Sequence, residues 1–278
     1  MLAGYNDPRR THHSGGELDI RFTNMLKTYK DSDPVPRPQV ALPVAAIECA
    51  AAAHQRDDAS PIARATAQLI IIAFFFLLRV GEYTKAPEST VKRTVPFRLC
   101  DVKFWNNQQL LQQTIGLEQL QQATSVTLHI ENQKNGQKGD TIHHEACAGS
   151  FCPVKALAAR VSEIHAHNMP MSTPLSYVKP GTHVQSRHIL HAVRHGARVA
   201  KLEQCGYDLS RIGSHSLRAS GAMALWLSGH SAEAIMKMGR WRTNTFLTYI
   251  HSQIASLTIT RNNSSLMSHR IAFHNVGG

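Results

Sequence analysis

Several short segments of this chain carry side chains suited to one piece of chemistry. His215 and Arg218, in HSLR, stand three residues apart. On a helix they share a face, so an imidazole and a guanidinium point the same way. Arginine is a rigid fork that matches two phosphate oxygens, and histidine can add a hydrogen bond or move a proton. Arg79 follows the apolar run LIIIAFFFLL (69–78), with Glu82 three residues on. A charge there costs free energy unless it is paired or used. Gly239-Arg240-Trp241 is followed by Tyr249. A tyrosine at the edge of an apolar helix stripe keeps its hydroxyl at the rim. Beside a phosphate held by two guanidiniums and an imidazole, that phenol can attack phosphorus and leave a covalent phosphotyrosine. Each segment also has a plain structural reading: a surface HxxR pair, an Arg79–Glu82 ion pair, a core-edge tyrosine.

The elements that must position these groups are legible in outline. Residues 1–38 end in DSDPVPRP and read as an extended lead-in segment, with a short helix at 18–29. An Ala-rich helix is expected over 44–54. Ser60-Pro61 starts a second that runs to about Val80, is apolar on every side, and stops at Gly81. Strand-like runs follow at 96–105, 125–133 and 141–146. In the second, Val126, Leu128 and Ile130 alternate with Thr127, His129 and Glu131. Lys134-Asn135-Gly136 reads as a tight turn into the third. The Gln-rich stretch 106–123 is either an irregular insertion or a short helix. After Cys152-Pro153 the chain reads as helical to its end. Helices are expected over 153–167, 185–202 and 217–227, then over 232–238, capped by Ser231 and closed by Gly239, and from about Thr245. The expected fold is α+β: mostly α-helical, with a small three-stranded antiparallel sheet.

Charge narrows the partner. The 278 residues carry a net charge of +11, and the sequence pI is about 9.7. Residues 179–278 hold twelve Lys/Arg against three acids, nine of the eleven net charges. Such a half fits a polyanion, either nucleic acid or an anionic membrane surface. The longest apolar run is about half a membrane span, which argues against an integral membrane protein, and no signal peptide is visible. Five cysteines are an odd number that fits a reducing compartment better than a disulfide framework.

The segment HSLRASGAMALWLSGHSAEAIMKMGRWRTNTFLTYIH (215–251) resembles the C-terminal signature of tyrosine recombinases, the phage-integrase-like enzymes that break and rejoin DNA. LLRVGEY (77–83) looks like that family's first arginine box. The match spans roughly 39–260, the family's catalytic domain, and leaves 261–278 as a C-terminal tail. The wording GRW…TFLTYI is nearest to recombinases of eukaryotic mobile elements. Residues 1–38 are too short for the helical core-binding domain that usually precedes the catalytic one. Trp241 and Tyr249 are one residue closer than in many bacterial and phage members.

The resemblance implies roles. Arg79 and Arg218 would clamp the scissile phosphate and stabilise its five-coordinate transition state, and His215 would hydrogen-bond it. Trp241 would donate its indole N–H, and Tyr249 would be the nucleophile. Lys134 would protonate the leaving 5′ oxygen, with Lys138 the runner-up, and Glu82 would orient Arg79. Arg187, Arg194, Arg198, Lys201, Arg240 and Arg242 would bind the DNA backbone. The implied partners are double-stranded DNA and further copies of the chain, from dimer to synaptic tetramer. No metal or nucleotide cofactor and no membrane are implied. The place of work would be intracellular, in a nucleus for a eukaryotic protein and otherwise in the cytoplasm or nucleoid.

Other classes fit the residues less well. His143, His144, Cys147 and Cys152 could supply four zinc ligands, but their spacing fits no finger pattern. Residues 215–241 look superficially like a helix-turn-helix, so a non-catalytic DNA-binding protein is the main alternative. A type IB topoisomerase-like enzyme would share the chemistry but not the outcome. A Ser or Cys hydrolase lacks both G-x-S-x-G and a placed base.

Overall fold

Ser60 and Pro61 start the helix on which the rest is built. Ser60 is extended and its Oγ accepts the Ala63 N–H at 3.3 Å. Pro61 fills the first turn, where a missing N–H costs nothing. The computed structural model describes Asn24 and residues 39–53, 56, 58–85, 95–131, 139–213, 215–241, 243 and 246–247. The chain divides into two compact units, Met1–Arg37 and Pro38–Gly278. In the first, Asn24 alone is described, and every helix and strand named here belongs to the second.

Helix α1 (Val44–Ala52) precedes α2 (Pro61–Phe75), whose 65–74 stretch is buried throughout. The expected continuation of α2 to Val80 does not occur. Phe76 caps it, and Leu77 takes φ +49°, in the left-handed region. The Leu78 N–H reaches back to the Ala73 carbonyl at 3.0 Å, and the Leu77 N–H to Phe74 at 3.4 Å. This is a Schellman turn with leucine where glycine is the usual choice. Arg79 then opens a one-turn helix, α3 (Val80–Tyr83).

The sheet is small and antiparallel, and it has one strand more than expected. Its order is β2-β1-β3-β4, with β1 Val102–Asn106, β2 Gln109–Leu111, β3 Ser125–Ile130 and β4 Asp140–Glu145. The extra strand comes from the Gln-rich stretch. Asn107 and Gln108, at φ 45° and 73°, make a two-residue turn whose twist suits a hairpin. The same stretch continues into α4 (Leu117–Gln121), pinned by buried Leu120. Val126, Leu128 and Ile130 are buried together, as their alternation requires.

Helix α5 (Pro153–His165) packs on α2. The chain beyond it is not all helix: β5 (Tyr177–Lys179) and β6 (Thr182–His183) form a hairpin around Pro180-Gly181, with Gly181 at φ +73°. Then come α6 (Ser186–Val199), α7 (Ser216–Leu227) and α8 (Ala232–Gly239). Helix α6 rides close on α1. A Cβ at Gly196 would sit 2.5 Å from the Ala46 carbonyl oxygen, which is why α1 is alanine-rich on that side. Among the described residues no helix is long and apolar enough to cross a membrane.

His143 and His144 lie on opposite faces of β4, so the four candidate zinc ligands do not converge. His143 Nδ1 is 3.2 Å from Thr127 Oγ1. His144 turns inward between the Phe75 and Phe76 rings, 5.8 and 4.6 Å away. Among the described residues no group of three or more His, Cys, Asp or Glu could hold a metal. Burial pushes the His144 imidazole down from 6.5 to about 4, against the pull of its bond to the Phe75 backbone. A group depressed in the folded state favours folding above its unfolded pKa and loses that contribution as pH falls. Urea denaturation should therefore show a loss on the order of 2–3 kcal/mol from this residue between pH 6.5 and 4. His144→Leu should flatten that part of the curve, and an unchanged slope would refute the assignment.

Candidate functional site

The left-handed turn at Leu77 points its carbonyl at α7. The helices approach closely because residue 221 is glycine: a Cβ there would lie 2.3 Å from Leu77 Cδ2 and 2.5 Å from the Phe74 carbonyl oxygen. Arg218, on the same face of α7 one turn earlier, is 3% exposed. Its Nη1 donates to the Leu77 carbonyl and its Nη2 to the Gly239 carbonyl. Both acceptors are at helix C-termini, where the backbone favours a cation. The Trp241 ring lies over the guanidinium, its centroid 4.2 Å from Cζ, in cation–π geometry. Gly239 makes room for that ring, since a Cβ there would fall 1.7 Å from it.

Glu82 ties the first arginine into the same cluster. Its Oε1 accepts from Arg79 Nη1 at 3.1 Å, and its Oε2 accepts the Arg79 N–H at 2.8 Å. The Arg79 side chain keeps 19% exposure, whereas the Glu82 side chain keeps 4%. Glu82 Oε2 also accepts from Arg240 Nη2 at 2.8 Å. His215 caps the start of α7 with its side chain exposed. Its N–H donates to Gln39 Oε1 at 2.7 Å, and Gly213 leaves space for the Gln39 side chain. Gln39 is not apparent from the sequence because it lies 176 residues away with no local pattern.

The structure thus brings Arg79, Glu82, Arg218, Arg240 and Trp241 into one network, with His215 one turn before Arg218. Arg187, Arg198 and Lys201 are exposed on and just after α6. Two of the residues expected at the DNA backbone have partners within the chain. Arg194 is half-buried and gives its Nη2 to the Ile212 carbonyl at 2.9 Å. Arg240 is 4% exposed and turned inward, because the left-handed C-cap of α8 folds its side chain back onto Glu82. Burial pushes its guanidinium below the usual range, and Glu82 opposes that. Lys134, Lys138, Arg242 and Tyr249 lie outside the described residues.

No family model matches the sequence, and no curated protein matches it. Solved structures do. The XerH site-specific recombinase bound to difH substrate in a pre-cleavage complex matches at a TM-score of 0.52 and 16% identity, over 80% of this chain and 53% of that one. The post-cleavage complex on palindromic difH substrate matches at a TM-score of 0.50 and 16% identity, over 81% and 53%. This chain spans about half the length of those recombinase chains.

The close approach at Gly221 is directly testable. Gly221→Ala inserts a methyl against backbone and should destabilise the protein by about 1–3 kcal/mol in urea denaturation. Unchanged stability would show that α2 and α7 are not in the contact described. The likeness to the recombinase structures, at their level of identity, is one of fold: a helical body with a small antiparallel sheet, matching the tyrosine recombinase catalytic-domain fold.

Proposed function

We propose that this chain cuts and rejoins duplex DNA through a 3′-phosphotyrosine intermediate, as a tyrosine recombinase does. The observation that supports it most is the shared anchoring of Arg79 and Arg218. One is fixed by Glu82, the other by the Leu77 and Gly239 carbonyls, and Arg240 joins the two sets of acceptors. Pre-set guanidiniums at one phosphate need no reorganisation as charge builds in the transition state.

In this reading the scissile phosphate lies against Arg79 and Arg218. His215 hydrogen-bonds a non-bridging oxygen, and Trp241 packs the site and offers its indole N–H. The Tyr249 oxygen attacks phosphorus, and the bond to the 5′ oxygen breaks as Lys134 protonates it. A phosphodiester becomes a phosphotyrosine ester plus a 5′ hydroxyl, so the bond energy is kept and no ATP is needed for rejoining. Two arginines and a lysine supply the positive charge, and the proposal includes no metal or nucleotide cofactor. Arg187, Arg198 and Lys201 would hold the duplex backbone, and Arg242 would join them. Strand exchange would need two duplexes and four copies of the chain in a synaptic complex. The GRW…TFLTYI wording points within this class to recombinases of eukaryotic mobile elements, and hence to a nucleus.

The test is a pool of nicked suicide duplexes incubated with the protein in EDTA. Wild type should form a covalent protein–DNA band and Tyr249→Phe none. DNA binding without any band would leave a non-catalytic DNA-binding protein. Relaxation of supercoils without strand exchange would move the reading to a type IB topoisomerase.

Phosphate contacts make a further prediction. Binding should weaken steeply with salt, and each of Arg187→Ala, Arg198→Ala and Lys201→Ala should lower the slope of log K against log[salt] by about 0.9. A slope that these changes leave alone would place the duplex on another face.

A further inference from the structure

We propose that Arg240 is a positioning residue that sets the distance and orientation between Arg79 and Arg218, and that it does not touch DNA. This deepens the proposed reaction and rests on it. Arg240 Nη2 donates to Glu82 Oε2 at 2.8 Å and to the Leu77 carbonyl at 3.3 Å. Glu82 holds Arg79, and the Leu77 carbonyl holds Arg218. One buried nitrogen therefore bridges the two acceptors on which the two clamping arginines depend.

The backbone supports this role. Arg240 is the C-cap of α8 with φ 56° and ψ 41°, a left-handed conformation that side chains other than glycine and asparagine adopt at a cost. Its N–H bonds the Lys237 carbonyl at 3.2 Å and the Trp241 N–H bonds Met236 at 3.0 Å. That turn aims the guanidinium inward and carries the next residue, Trp241, over Arg218. The Arg240 guanidinium is turned onto the Glu82 carboxylate, which already balances its charge. Arginine suits the task better than lysine because its planar fork keeps fixed directions to its acceptors, whereas an ammonium is a point charge on a flexible stem.

The experiment compares wild type with Arg240→Met and Arg240→Lys, each checked by thermal melting. The suicide-duplex pool at saturating concentration reads the single-turnover rate, and titration at several salt concentrations reads binding. Both variants should form adduct about 100-fold more slowly, the scale of a small misplacement of catalytic groups. Their salt slope should stay within less than one unit of wild type, because Arg240 is not itself a phosphate contact, and lysine should not rescue the rate. Glu82→Gln should cost much less in the Arg240→Met background than alone, because the two act as a unit. Should Arg240→Met not fold, Arg240→Lys, which keeps a charge beside Glu82, carries the same test.

A salt slope lower by about one with an unchanged rate at saturation would make Arg240 a phosphate contact and overturn the proposal. A lowered melting point with an unchanged rate per folded molecule would reduce it to a structural residue. A DNA-free arm separates this inference from the proposed reaction. Inorganic vanadate should raise the melting temperature of wild type but not of Arg79→Ala, Arg240→Met or Arg240→Lys. Vanadate stabilisation of wild type alone, with no adduct on any duplex, would sink the reaction and leave Arg240 as the residue that sets the clamp. Equal vanadate stabilisation of wild type and the Arg240 variants, or none in wild type, would sink this inference.

Discussion

Two of the buried guanidiniums at this site, those of Arg218 and Arg240, converge on the Leu77 carbonyl. It belongs to a leucine held left-handed at the end of α2, and it accepts hydrogen bonds from both Arg218 and Arg240. An α-helix leaves its last carbonyls without intrahelical partners, and they carry partial negative charge. Here α2 ends against α7 and α8, and the two guanidiniums satisfy what the helix ends leave open. A left-handed leucine costs on the order of 1–2 kcal/mol. Buried charge-assisted hydrogen bonds are of comparable or greater worth, so the turn and the arginines hold each other in place.

The same logic runs through α8. It too ends in a Schellman turn with a non-glycine residue in the left-handed position, and its Gly239 carbonyl takes the other arm of Arg218. The two turns face one guanidinium from two sides. Gly221 and Gly239 are required by proximity: the first lets backbone meet backbone, and the second lets the indole lie flat. A small apolar cluster that includes Ala41, Leu77, Ala219, Ala222, Ile235 and Phe246 seals this junction from below. The arginine cluster is thus assembled from helix ends, glycines and Glu82, and the basic surface on α6 is a separate feature.

Much of this was legible in the sequence because local rules govern it. Ser60-Pro61, Pro153 and Ser231 mark helix starts through orphan amide groups, and Val126, Leu128 and Ile130 mark a strand through its two-residue period. The pairing of Arg79 with Glu82 is an i, i+3 relation and equally local. What was not legible came from residues acting against type or across long separations. Leu77, not Gly81, ends α2, because tertiary hydrogen bonds stabilise a conformation that leucine disfavours alone. The fourth strand hides behind Asn107-Gln108, which turns like a hairpin without the usual glycine. Pro180-Gly181 did carry a turn signal, obscured by the helical patterns on either side. Arg240 reads as one of a basic run, and only its left-handed backbone reveals that it faces inward.

Residues 39–42 form a strap along the face that carries His215. Gln39 accepts from the His215 N–H, Val40 donates to the Arg211 carbonyl at 3.3 Å, and Leu42 donates to Ser220 Oγ at 2.8 Å. The Arg218 guanidinium is held by helix ends and that of Arg79 by Glu82, whereas the backbone of His215 is held by this strap. A change at Gln39 is therefore felt first at the backbone of the histidine-bearing turn, through the bond from the His215 N–H.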